Sequence, residues 1–201
     1  MQPLTSYHTI STNAQADFKE KGSKFIGYAF PVSSVKDCNA NIALIRKEHP
    51  KATHHCFAYR LGIDGNRFRA NDDGEPSGTA GKPILGQIDS KELTDVLVVV
   101  VRYFGGKQLG IPGLIAAYKT TAALVLQMTP VCRKPVLSFM QLNFDYTQTN
   151  DVLTLVKKFD CVVDSQSIDL FCTMKIGIPK IWLNEFKNKI NDLPKVNTKD
   201  I

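Results

Sequence analysis

Asp95-Val-Leu-Val-Val-Val-Val-Arg-Tyr-Phe104 is the stretch on which the fold turns. A strand with one wet face alternates apolar and polar residues. This one does not, so it is expected to lie covered on both faces. Its aliphatic run, Val96 to Val101, falls well short of the roughly 20 residues a membrane-crossing helix needs. A glycine-rich turn, GGKQLGIPG (Gly105–Gly113), leads into a helix predicted from Pro112 to Met128. That helix carries one charged residue, Lys119, so it should pack on more than one side, against the sheet and against a second domain.

Upstream, Lys24–Val32 reads as a strand with Ile26, Tyr28, Phe30 and Val32 on one face. A helix is predicted over Val35–Glu48, capped by Ser34 with Asp37 three residues on, and with Val35, Cys38, Ile42 and Ile45 as its apolar stripe. Thr53–Leu61 is a second strand, Asp64-Gly65 a turn, Asn66–Asn71 a third strand, and Pro83–Ile88 a short helix. Two prolines in TPVCRKPV (Thr129–Val136) mark a linker, giving a first domain over 1–129 and a second over 136–201. The second reads strand (Val136–Asp145), helix (Asn150–Phe159), strand (Cys161–Gln166), strand (Ile168–Ile178) and helix after Pro179, most of a split βαβ unit.

The net charge of +6 admits an acidic partner such as nucleic acid, but no block of about five or six like charges concentrates it. Cys38, Cys56, Cys132, Cys161 and Cys172 include no C-x-x-C pair. They read as free thiols in a reducing compartment, with no metal or cofactor expected. The amino terminus has neither a basic start nor an apolar signal core, so a cytoplasmic protein without a membrane partner is expected.

Three segments can carry chemistry. In HHCFAYR (His54–Arg60), alternation puts His54, Cys56, Ala58 and Arg60 on one strand face and His55, Phe57 and Tyr59 on the other. A Cys-His pair can make a nucleophile, and a histidine satisfied at a strand edge is the plainer reading. The loop from Asn71 to Gly81 gathers Asp72, Asp73, Glu75, Ser77 and Thr79. Its carboxylates can activate water or simply cap the next helix. The third segment, Val101–Gly113, is a strand, a glycine turn and a helix start. Its amides at Gly105, Gly106 and Gly110, with Arg102 and Lys107, suit an anion. It closes with no Gly-Lys-Ser/Thr and contains no G-x-G-x-x-G. Tyr103 and Phe104 can stack bases where exposed, with Phe104 expected in the core.

GEPSGTAGKPIL (Gly74–Leu85), VVVVRYFGGKQLG (Val98–Gly110) and GLIAAY (Gly113–Tyr118) closely resemble the YigZ/IMPACT family, with Ile111-Pro112-Gly113 departing from its small polar residue and two glycines. The resemblance implies an α+β protein of two two-layer sandwich domains. The first would be like a ribosomal-protein domain and a domain of elongation factor G. The second would be ferredoxin-like, similar to the last domain of that factor. It implies a cytosolic, non-catalytic protein that binds RNA or the ribosome and modulates translation, with a translation factor or other protein as a further partner.

On that reading Lys82, Arg102 and Lys107 contact phosphate, with Tyr103 and the loop amides of Gly105, Gly106 and Gly110 beside them. His54, Arg60 and the Asp72–Thr79 loop border the same surface. The alternative is a hydrolase or transferase on a small phosphorylated or nucleotide substrate, with Glu75 or Asp73 as base and His54 carrying the proton.

Overall fold

In the computed structural model, which describes residues 4–201, the chain divides into two units: residues 7–134, and residues 135–201 grouped with 4–6. The first contains β1 (Ser6–Ile10), β2 (Ala14–Glu20), β3 (Ser23–Pro31), α1 (Val35–Glu48), β4 (His54–Leu61) and β5 (Arg67–Asn71). It continues through α2 (Gly81–Ser90), β6 (Val96–Tyr103), α3 (Gly110–Gln127) and β7 (Val131–Pro135). Five strands make one antiparallel sheet in the order β2-β3-β6-β4-β5.

β6 lies at the centre, and every residue from Val96 to Val101 is fully buried. Leu97, Val99 and Val101 meet Cys38, Ile42 and Ile45 of α1 on one side. Val96, Val98 and Val100 meet Ile84 and Ile88 of α2 and Leu114, Tyr118 and Val125 of α3 on the other. Burying each such aliphatic side chain is worth about 1.5–3 kcal/mol. The unit therefore has three layers rather than the expected two, because a strand apolar on both faces requires cover on both. α3 packs on β2, β3 and β6 and also on α2, which accounts for its near-absence of charge.

α1 follows its predicted bounds, with the Ser34 hydroxyl accepting from the Asp37 amide at 3.1 Å. Val35 is exposed and does not join the buried stripe. The expected linker is instead largely β7, which pairs with β1. Its residues are mostly exposed, so they lack the alternating pattern that marks a strand.

The second unit holds β8 (Leu137–Asp145), α4 (Thr149–Lys158), β9 (Val162–Ser167), β10 (Phe171–Pro179), α5 (Leu183–Asn191) and β11 (Val196–Asp200). Its sheet order is β11-β8-β10-β9, antiparallel throughout, the completed β-α-β-β-α-β ferredoxin-like arrangement. Met140, Leu142, Phe144, Met174 and Ile176 face Val152, Val156, Phe186 and Ile190 of the two helices. β10 begins at Phe171 rather than Ile168, because Ile168, Asp169 and Leu170 turn the chain between β9 and β10 and lie outside the paired register.

Candidate functional site

The loop after β5 is built by its own carboxylates. Asp73 and Gly74 both take positive φ (43° and 88°), which turns the chain sharply after Asp72. The Asp72 carboxylate then accepts from the amides of Gly78 (2.8 Å), Ala80 (2.9 Å) and Gly81 (2.8 Å), serving the start of α2 from a distance in sequence. Burial works to raise its pKa, and those three amides together outweigh burial and hold it below the usual carboxylate range. This is the capping role open to the loop's acids. Asp73 is also engaged: it pairs with Arg46 at 2.5 Å and accepts from the His55 amide at 2.7 Å. Thr79 is buried and donates to the Pro76 carbonyl at 2.7 Å, while Ser77 is exposed.

Glu75 turns inward. Its side chain is 3% exposed, and Oε1 accepts from Arg102 Nη1 at 2.7 Å and from the Tyr118 hydroxyl at 2.8 Å. His54 Nε2 stands 3.7 Å from the same oxygen. His54 Nδ1 lies 2.8 Å from the Asp73 carbonyl, which can only accept, so Nδ1 carries a proton. The Cys56 thiol sits 3.0 Å from the Asp72 carbonyl and 3.3 Å from the Tyr118 hydroxyl. Burial pushes the Cys56 thiol far above its usual pKa, and burial with Cys56 and Glu75 does the same to the Tyr118 phenol. Both groups are therefore neutral, and Cys56 is no nucleophile at neutral pH.

Arg102 is buried (5% exposed) and sits 5.5 Å from the ring centroids of both Phe25 and Phe104. Its Nη2 reaches Ser23 Oγ at 3.4 Å, and the Gly105 amide donates to that same hydroxyl at 3.2 Å. Gly105 has no alternative residue here: a Cβ would lie 2.0 Å from the Gly22 carbonyl carbon. The glycine loop is thus pinned to the β2–β3 hairpin turn. Beyond it Gly106 and Gly110 take positive φ (83° and 69°), and Lys107 and Gln108 are exposed. α3 begins with no side-chain cap and no acid in its first turn.

The two glycine loops and the start of β4 therefore converge through Arg102, Glu75 and His54. Several expected members do not join them. Arg102 cannot reach outward to phosphate, because its charge is spent on a buried carboxylate. Tyr103, next along the strand, faces the opposite side, where its hydroxyl meets His49 Nδ1 at 2.9 Å. Arg60 lies at the far end of β4, paired with Asp89 at 2.7 Å and with the Gly65 carbonyl. Phe104, expected in the core, is 50% exposed. Lys82 and Lys107 are exposed cations, on α2 and on the loop before α3.

Ser23, Phe25 and Tyr118 were not predicted as site residues. Tyr118 alone carried a signal, as the single aromatic of a helix otherwise small and aliphatic.

No helix of the described residues is long and apolar enough to cross a membrane. No group of three or more metal-ligating side chains occurs among them.

The Impact N-terminal domain matches residues 21–126, which contain every residue of the cluster. The IMPACT family member YigZ of Escherichia coli is 33% identical over 177 residues, 87% of each chain. YvyE of Bacillus subtilis, also an IMPACT family member, is 39% identical over 144 residues, 72% of this chain and 66% of its own. The crystal structure of a hypothetical protein aligns with a TM-score of 0.79 and 30% identity, covering 99% of this chain and 98% of that one. This chain belongs to the IMPACT family.

Proposed function

We propose that the protein is a non-catalytic, cytoplasmic module that binds RNA or the ribosome and modulates translation, with a translation factor as a further partner. The observation that carries the reading is the closure of the Glu75 cluster. A general base must be reachable by substrate, and the Glu75 side chain is 3% exposed, with Oε1 accepting from a guanidinium and a phenol. What the surrounding loops leave to solvent is Lys82, Lys107 and uncapped amides at the start of α3, which suit phosphate rather than bond-breaking. The buried ion pair holds those loops in register. Membership of the family supports the assignment to translation.

The test is RNA affinity, by fluorescence anisotropy, and co-sedimentation with ribosomes between low and moderate salt. Each lost phosphate contact should reduce the salt slope by about 0.7–0.9, so Lys82→Ala with Lys107→Ala should flatten it by roughly 1.5. Absence of binding at low salt, or binding insensitive to salt and to both substitutions, overturns the proposal. A hydrolase or transferase is the second reading, favoured by the 3.7 Å approach of His54 to Glu75. It requires turnover of a phosphorylated or nucleotide substrate that a Glu75→Gln variant loses.

A further inference from the structure

The helices of the second unit cover one face of its sheet, and the residues on the other face form ordered rows. Directly paired residues of antiparallel strands share a face. Asn143 of β8 pairs with Asn197 of β11 and Thr173 of β10, and Thr173 pairs with Ser167 of β9. In the next row Gln141 pairs with Lys199 and Lys175. Their strand neighbours Leu142, Met174 and Ile176 are buried against the helices, so both rows lie on the open side. Phe139 lies at one end of that side and Phe171 at the other, 45% and 78% exposed. Phe139 and Asp145, the partner of Phe171, stand six residue steps apart along the strand, a span of about 20 Å.

We infer that this open face is a docking surface for single-stranded RNA, an inference that rests on the RNA-binding reading above. Charge and chemistry argue for that occupant. Lys175 and Lys199 enter no salt bridge among the described residues, and Asp200, beside Lys199, is turned to Lys187 at 2.8 Å. Of the acids on or beside this face, Asp145 accepts from the amide and hydroxyl of Thr147 at 3.0 and 2.7 Å, and Asp169 accepts from the Ser167 hydroxyl at 3.3 Å. The rows between the two phenylalanines offer amides and hydroxyls that can donate and accept at base edges. The amide oxygen of Asn143 already gathers donors from Gln141 and Thr173, so the row is held in place. A protein partner would favour an apolar, charge-depleted centre, and this centre is polar with two lysines. Bases within a duplex cannot stack on a side chain, whereas unpaired ones can. At the Phe171 end a cavity of about 460 Å³, lined by Asn143, Asp145, Thr173, Lys195 and Asn197 as well, gives room for a splayed base.

The experiment uses the full chain and a 12-nucleotide oligouridine, with one form carrying 4-thiouridine for cross-linking. Phe139→Ala and Phe171→Ala should each weaken binding about tenfold. Lys175→Gln with Lys199→Gln should lower the salt slope by about 1.4. All four side chains are surface residues, and unchanged thermal melting checks that the variants fold. Cross-links on wild-type protein should map to β8, β10 or β11, a readout independent of any substitution. Binding untouched by these changes, with cross-links confined to the Ser77–Lys82 and Gly105–Gly113 loops, overturns the inference while leaving the RNA-binding reading standing. No binding of oligouridine, structured RNA or ribosomes overturns both, as a purely protein partner would require.

Discussion

At the scale of single residues, the Glu75–Arg102 pair is the most consequential contact in the molecule. Both side chains are almost fully buried (3% and 6% exposed), so each charge depends on the other for compensation. Glu75→Leu strands the guanidinium and should cost about 3–5 kcal/mol in urea unfolding. Glu75→Leu combined with Arg102→Met should recover much of that loss, because an apolar pair of similar volume removes the stranded charge. A double variant as unstable as the single one would mean that Tyr118 and Ser23, not Arg102, carry the energetic weight. The residue scale also explains where sequence reading stops. Glu75 and Arg102 stand out in the sequence as chemistry-bearing residues, but their spacing points Arg102 at an anion and Glu75 at a bound loop or substrate, not at each other. Only the sheet register, which sets Arg102 opposite His54 and Phe25, turns them toward each other.

At the scale of elements, the start of α2 is served by Asp72, while His55 of β4 reaches the end of α1, its Nε2 lying 3.0 Å from the His49 carbonyl. Asp72 has its pKa lowered by amides that outweigh burial, and His55 has its pKa lowered chiefly by burial. For both groups the folded-state value lies below the unfolded one. The stability they contribute is complete above the unfolded values, about 6.5 for the imidazole and about 3.9 for the carboxylate, and is lost as pH falls through the folded values. Urea midpoints should therefore decline on acidification, and Asp72→Asn should flatten the most acidic part of that decline.

The Gly105 turn gives a second test. Gly105→Ala drives a methyl group into the Gly22 backbone and should cost about 1–3 kcal/mol or shift the loop, whereas Gly106→Ala meets open space and bears only its positive φ, roughly 1–2 kcal/mol. Elements with a strong period were legible: α1, β3, β4, β6 and the alternation of β8 and β10 all follow from burial on one or both faces. β7 and β11 were not, because edge strands with wet side chains lack that period. β2 does alternate, Ala14, Ala16 and Phe18 against Gln15, Asp17 and Lys19, but two alanines make a weak apolar signal, and β1 is too short to show one. β11, Val-Asn-Thr-Lys-Asp, has one apolar residue in five.

At the scale of the whole molecule, the cysteines report how tightly each unit is packed. Cys38, Cys56 and Cys172 are buried, while Cys132 and Cys161 are partly exposed. Burial also pushes the Cys161 thiol up to about 11, which suppresses its thiolate near neutral pH. A thiol-reactive dye should therefore label Cys132 first and Cys161 slowly, and should reach the other three only on unfolding. Early labelling of Cys56 would show that the Glu75 cluster opens in solution. The free-thiol reading was available from spacing alone, but which thiols are accessible depends on strand pairing distant in sequence.

The pairing of β1 with β7 sets an order of events during synthesis. The Ser11 amide donates to the Pro130 carbonyl at 3.1 Å, and Val136 likewise donates to Thr5 at 2.9 Å. The Ser11 hydroxyl also bonds Pro130, 119 positions away in the chain. A nascent chain emerges at about 5–20 residues per second, so β1 waits several seconds for its partner while the sheet between them forms. Such distant closure raises the contact order and slows the last step of folding. Until then β1, bridged to Leu93 and Thr94 on its other edge, keeps one edge open to other chains, so misassociation during synthesis should concentrate there.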